Sequence, residues 1–253
     1  MTKVSIIGSG NVAQHLIQAF QSNSEIELVQ VGARNKERIT HLLDLDRITS
    51  DYNQLQFADL YIIAVSDDAI AEVSAQLPFE NRLVVHTSGT VTLSALATKN
   101  RRGVFYPLQT FSKDKAVDFT TIPICLETEN EEDLQTLNRL ANAISNAVYK
   151  IHSEQRKALH VAAVFVNNFV NHLYQIGNEI CENNQIPFEI LKPLIQETAN
   201  KIVTLSPKEA QTGPAKRNDL TTIEAHQQFL TDATQSKIYT LLTQSIQNNG
   251  KKL

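Results

Sequence analysis

Short runs of β-branched and aliphatic residues recur through the first 110 or so positions, at 4–7, 28–31, 60–65, 83–86 and 103–106. Short, mostly apolar runs of this kind suit strands buried on both faces, and segments of helical period lie between most of them, around 12–20, 36–45, 68–77 and 92–98. Strand and helix in alternation require crossover connections, so the pattern predicts an α/β domain, a doubly wound and mostly parallel sheet covered on both sides. A further strand at 123–126, a helix at 131–145 and a strand at 147–151 close that sheet. The acidic run at 127–133 is expected to sit in the first turn of that helix, where carboxylates favour the positive end of the dipole.

Beyond His152 no further strand-like run appears, and apolar residues recur at steps of three and four. Ser153 followed by Glu154 reads as a helix start, and Leu159, Ala163, Val166, Val170, Leu173 and Ile180 mark one side of a helix running to about residue 182, roughly 45 Å long. Val161, Val164, Phe165 and Phe169 make its middle apolar on the other side too, which predicts packing all round and favours a homodimer built through these helices. Further helices are expected at 188–205, 222–231 and 232–247, giving a sheet domain over 1–151 and an all-α domain over 152–253.

Composition narrows the partners. A formal charge of −4 leaves no cationic excess for a phosphate backbone or an anionic membrane, so neither nucleic acid nor membrane is expected and a small-molecule substrate is. No run approaches the roughly 20 apolar residues of a bilayer span. Two distant cysteines, Cys125 and Cys181, form no metal-ligand spacing and suit a reducing, cytoplasmic setting, with no metal expected.

The sharpest motif follows the first strand at once. Gly8-Ser9-Gly10-Asn11-Val12-Ala13 has the G-x-G-x-x-A form: one glycine for the turn, one for close approach of the backbone to a pyrophosphate, and a small residue where helix meets strand. The second strand ends in Gly32-Ala33-Arg34-Asn35, a base where an NAD site usually has a carboxylate, so NADP is the expected cofactor and Arg34 the residue for its 2′-phosphate. Lys36 and Arg38 are weaker candidates. Ligands of such sheets lie beyond the carboxyl ends of the strands, which adds Val65, Ser66 and Asp67 on the ribose and nicotinamide side and Thr87 and Ser88 nearby. Asp67 equally suits a helix cap, and His86 a hydrogen-bonded residue of the strand interior.

With the glycine turn and Arg34, the motifs His86-Thr87-Ser88-Gly89, Tyr106-Pro107-Leu108-Gln109-Thr110-Phe111 and Thr212-Gly213-Pro214-Ala215-Lys216-Arg217-Asn218-Asp219 resemble those of bacterial proteins that join a Rossmann-like NADP-binding domain to a helical domain of uncharacterised function, a group labelled NADP oxidoreductases. The chain is more distantly similar to pyrroline-5-carboxylate reductase, to deazaflavin-dependent NADP oxidoreductases and to the 6-phosphogluconate dehydrogenase superfamily. That resemblance implies a C-terminal domain of the 6-phosphogluconate dehydrogenase type, whose long helix builds a dimer and faces the nicotinamide. Hydroxyacid dehydrogenases of that superfamily carry a lysine four residues before an asparagine on this helix; here Ala163 and Val164 precede Asn167 and Asn168 at that spacing, so lysine chemistry is not expected. The helix offers His160 and Asn168 as candidate catalytic groups; Asn167 and Asn168, seven and eight residues after His160, share roughly one face with it two turns on. Gln109, Thr110, Asn167 and Arg217 are candidate substrate-cleft residues, Arg217 being equally suited to an ion pair with Asp219. The expected activity is hydride transfer between NADP(H) and a small carbonyl, imine or oxidised cofactor in an interdomain cleft. The alternative is a non-catalytic NADP-binding sensor or interaction module.

Overall fold

The computed structural model of the chain describes residues 1–113 and 115–249. Its packing forms two compact units, Met1–Val164 and Phe165–Leu253.

The first unit is an eight-stranded sheet of β1 (Thr2–Ile7), β2 (Ile26–Gly32), β3 (Ile48–Thr49), β4 (Leu60–Ile63), β5 (Leu83–His86), β6 (Arg101–Pro107), β7 (Ile124–Thr128) and β8 (Val148–Lys150), in the order β3-β2-β1-β4-β5-β6-β7-β8. All neighbours are parallel except β6 and β7. The reversal of direction between β1–β2 and β1–β4 is the switch point of a doubly wound sheet, where the crevice for a ligand opens. Alternate residues of β4 serve opposite faces. Leu60 and Ile62 join one buried cluster with α1 (Asn11–Gln21) and α3 (Glu131–Ile144), while Tyr61 and Ile63 join another with α2 (Ile70–Gln76). A third cluster sets Val104, Tyr106 and Cys125 of β6 and β7 against Leu159 of α4 (Ser153–Ala163). Because α4 packs on this sheet, compactness divides the chain about a dozen residues later than the expected boundary at 151/152.

Several expected elements take another form. The segment 36–45 holds only 3₁₀ turns at Lys36–Arg38 and Leu45–Arg47, with Leu42 N–H bonded three residues back to the Ile39 carbonyl. Ile39 and Leu43 anchor it to the core without a full helix. At 92–98 only Leu93–Ala95 turns, because the Thr92 and Ser94 hydroxyls bond each other and Ala97 N–H donates to Ser74 Oγ, interactions that compete with a helical ladder. The cap of α4 is His152, which exchanges bonds with Gln155 in a capping box, not Ser153.

After Ala163 the chain stays helical through a π segment, Val164–Phe169, into α5 (Val170–Asn183). The wider i→i+5 turns change the angular register after Val164, so spacing counted at 3.6 residues per turn no longer sets which asparagine follows His160. The second unit continues with α6 (Lys192–Thr204), α7 (Pro207–Ala210), α8 (Pro214–Arg217), α9 (Leu220–Phe229) and α10 (Ala233–Asn249). Gly213, at φ +99°, makes the turn that lets Pro214 open α8. Among the described residues the long helix is not packed all round: Phe165, Val166 and Phe169 are 62, 74 and 49% exposed.

Candidate dinucleotide and proton-transfer site

The glycine turn is built by two different requirements. Gly8 has φ +140°, and a Cβ there would stand 2.0 Å from the Ala64 carbonyl oxygen at the end of β4, so both conformation and space demand glycine. Gly10 caps α1 without any side-chain hydrogen bond, and a Cβ on it would meet nothing within 4 Å. Above Gly10 there is therefore open space facing the amide donors of the first turn, the positive end of the helix dipole. Ala13 is fully buried, which gives the close helix-to-strand contact expected of the third small residue. These features fit a dinucleotide pyrophosphate.

Around that turn the side chains are partly committed. Ser9 accepts from Gln14 Nε2 through its carbonyl, at 3.0 Å, and Asn11 Nδ2 donates to the Phe111 carbonyl at 2.9 Å. The segment after β6 thus crosses α1, and His15 extends the attachment with a 3.0 Å hydrogen bond to the Ser112 carbonyl and a ring contact with Phe111. Val12 packs partly buried against the core. Arg34 is exposed, makes no ion pair among the described residues, and lines a cavity of about 420 Å³ with Ser50, Asp51, Tyr52, Asn53 and Gln76. A 2′-phosphate fits beside such an uncommitted guanidinium. A larger cavity of about 840 Å³, lined by Asn23, Glu25 and Asn138, opens at the amino ends of β1 and β2 and contains none of the candidate residues.

Two strand-end loops are tied together beside the turn. Asp67 accepts a hydrogen bond from the Thr90 hydroxyl, while Ser88 Oγ accepts from Thr90 N–H and Val91 N–H at 3.1 and 3.0 Å. Val65 is half-buried and Ser66 is exposed, whereas Thr87 and Ser88 are buried, so the Ser88 hydroxyl serves its own turn. His86 is fully buried; its Nδ1 accepts from Ser88 N–H at 3.2 Å, and its buried Nε2 has no well-formed hydrogen bond among the described residues. Burial, and then the Arg156 charge, depress its pKa to about 4, so the ring is neutral at physiological pH.

The polar centre of the unit lies next to these loops and joins the expected His160 to Tyr106 and to an Arg156–Glu127 pair that no local pattern marked. Tyr106, near the end of β6, has its Oη 3.1 Å from Nδ1 of His160 on α4. Both stand against the backbone of Gly89, where a Cβ would be 2.5 Å from His160 Nδ1 and 2.9 Å from Tyr106 Oη. Burial first, and Cys125 next, push the Tyr106 phenol up to about 12, so it keeps its proton. Four residues before His160, Arg156 is 1% exposed and donates to Glu127, to the Val91 carbonyl and to Ser153 Oγ, and Glu127 in turn accepts from Ser153 N–H at 3.0 Å. This buried knot fixes α4 on β7, and one helical turn later the same face presents His160. Glu127 therefore ends a strand as half of an ion pair. Glu129 likewise pairs with Arg102 and Asp133 with Arg101, so the acidic run is not simply a dipole-facing turn.

The remaining candidates are exposed. Gln109 and Thr110 are exposed after β6, where Gln109 Oε1 accepts from Thr110 N–H. In the second unit Asn167 and Asn168 are exposed within the π segment. Arg217 lies 4.0 Å from Asp219, a loose exposed pair, because Asp219 spends its carboxylate capping α9 through Thr222.

Comparison with known proteins divides the chain earlier than its compact units do. Residues 3–89 match a family described as coenzyme F420-dependent NADP oxidoreductase, and residues 122–246 match a domain of unknown function, DUF2520. A Bacteroides fragilis protein described as a candidate NADP oxidoreductase is 39% identical, with 98% of each chain covered and a TM-score of 0.88. A pyrroline-5-carboxylate reductase from Coxiella burnetii shares the fold at 17% identity and TM-score 0.57, over 99% of this chain and 98% of that one. A glyceraldehyde-3-phosphate dehydrogenase of Bacillus cereus is 29% identical over 111 residues, 41% of this chain; the chain spans only a third of that curated relative's length.

Proposed function

We propose, from the premise that this chain belongs to the NADP oxidoreductase family of the Bacteroides fragilis protein, that it reduces a small carbonyl, imine or oxidised cofactor with NADPH and that His160 delivers the accompanying proton. The observation that carries this reading is the Tyr106–His160 pair standing on Gly89, in the same compact unit as the glycine turn. NADPH, when bound, supplies the hydride. The amides of the α1 first turn and Arg34 hold its pyrophosphate and 2′-phosphate, and the loops joined by Asp67 and Thr90 shape the nicotinamide side. Hydride addition to C=O or C=N leaves charge on the heteroatom; the His160 ring neutralises it by giving up one proton while its other nitrogen takes the Tyr106 phenol proton, so the imidazole stays neutral and the phenolate is reprotonated from water.

Exposed Phe165, Val166, Phe169 and Leu173 on the long helix, with Ile190, Leu194 and Val203 beyond it, support a homodimer through the helical unit. Both cysteines are free thiols, and no described helix is long and apolar enough to cross a membrane, which supports work in the cytoplasm.

The test is NADPH oxidation against a panel of ketones, cyclic imines and flavin-like acceptors, with the wild type and His160→Gln. Turnover in the wild type that falls about 10²- to 10⁴-fold in the variant at unchanged NADPH affinity is the expected result. NADPH binding without turnover on any class would instead favour a non-catalytic NADP-binding module.

A further inference from the structure

We propose that Tyr106 is a positioning residue that fixes the tautomer of His160, holding Nδ1 as a hydrogen-bond acceptor and leaving the ring proton on Nε2. This rests on reading His160 as the proton donor, but it concerns a different atom and can be measured without any substrate.

The phenol oxygen of Tyr106 has one hydrogen-bond partner among the described residues, His160 Nδ1 at 3.1 Å. Tyr106 is 8% exposed, and its ring packs with Val104, Cys125, Leu108 and Leu159, which offer its hydroxyl no alternative acceptor. If Nδ1 carried the proton and donated to the phenol, the buried O–H would point at nothing, a state that folded interiors avoid. With the phenol donating, every group at the contact is satisfied. Burial agrees with this direction, because it keeps the phenol protonated and so able to donate.

Two further features hold the arrangement in place. Gly89 closes one side: its missing Cβ is what allows both Nδ1 and Oη to approach the same backbone point. Arg156, locked to Glu127 and Val91, fixes the helical turn below, so the imidazole cannot follow a drifting α4. His160 Nε2 makes no hydrogen bond among the described residues. A ring held through Nδ1 therefore has one free nitrogen, and the phenol determines that this nitrogen bears hydrogen before a substrate arrives.

The experiment is long-range ¹H–¹⁵N correlation on ¹⁵N-labelled full-length protein at a pH where the ring is neutral, with the His160 signals assigned by their loss in His160→Gln. The wild type should show the Nε2–H form alone, and Tyr106→Phe should lower the Nε2–H to Nδ1–H ratio by about fivefold or more, the weight of one ordinary hydrogen bond. A wild-type ring protonated on Nδ1, or a ratio unchanged in Tyr106→Phe, would overturn the proposal. Should Tyr106→Phe not fold, the reciprocal measurement decides. The ¹³Cζ resonance of Tyr106 must move between wild type and His160→Gln, and an unmoved resonance would equally overturn it. Loss of the proton-donor reading would appear instead as full turnover in His160→Gln, with the tautomer result unaffected.

Discussion

Replacing Gly89 by alanine puts a methyl carbon 2.5 Å from His160 Nδ1 and 2.9 Å from both Cζ and Oη of Tyr106. Ordinary contact requires roughly 3.5 Å or more, so the imidazole must retreat by about 1 Å while the phenol yields by somewhat less. Neither ring can withdraw freely. Tyr106 is walled by Val104 and Cys125, and α4 is tied down by Arg156 one turn away. Overpacking of this kind costs about 1–3 kcal/mol, and a broken Tyr106–His160 hydrogen bond adds about 1 kcal/mol, so a total of about 2–4 kcal/mol is expected. Urea unfolding followed by circular dichroism measures the loss. The decisive comparison is the double-mutant cycle with His160→Ala, which removes the closest contact. In that background Gly89→Ala should cost at least about 1 kcal/mol less than in the wild type. Additive effects, equal within about 0.5 kcal/mol, would mean that Gly89 is not glycine on account of His160.

Acid should destabilise the fold through His86. Its folded pKa near 4 lies below the ordinary 6.5, so the unfolded chain binds the extra proton, and the stability this confers is full above about pH 6.5 and falls toward pH 4. Lowering the pH from 7 to 5 should cost the wild type about 2 kcal/mol more than His86→Gln, and equal urea-midpoint shifts in the two proteins would refute the assignment. Arg156→Met should destabilise by about 3–5 kcal/mol because it strands Glu127, with Arg156→Met/Glu127→Leu recovering a good part; thermal unfolding of the three proteins checks this, and a double variant no better than the single would count against it. Gly8→Ala should fail to reach the native state in expression trials, since its Cβ would overlap the Ala64 carbonyl, and a well-folded Gly8→Ala protein would contradict the geometry of the turn.

What the sequence disclosed and what it concealed follow from the range of the interactions. The strands were legible because residues such as Leu60 to Ile63 are buried on both faces of a covered sheet, which leaves an uninterrupted apolar run. β3 was missed because two residues, Ile48 and Thr49, carry no pattern. The helices expected at 36–45 and 92–98 follow apolar spacing that local bonds overrode, and the π segment is invisible to any count that assumes one period. In the site, the glycine turn was readable because its requirement is local: a backbone that doubles back beside Ala64. Arg156 and Glu127 were not, since a pair 29 residues apart has no signature until β7 and α4 meet. The motif at 106–111 drew attention to Gln109 and Thr110, the exposed polar members. Tyr106 and Phe111 make the attachments instead, one to His160 and the other across α1.

The central claim is that the first unit holds NADP through the amides of α1 and through Arg34. Calorimetric titration of nucleotide-free protein with NADPH and then NADH at one salt concentration tests it, with Arg34→Ala alongside. The account predicts NADPH binding at least about tenfold tighter than NADH, a gap of about 1.4 kcal/mol that closes in Arg34→Ala. Failure to bind either nucleotide, or a preference that survives the loss of Arg34, would contradict it.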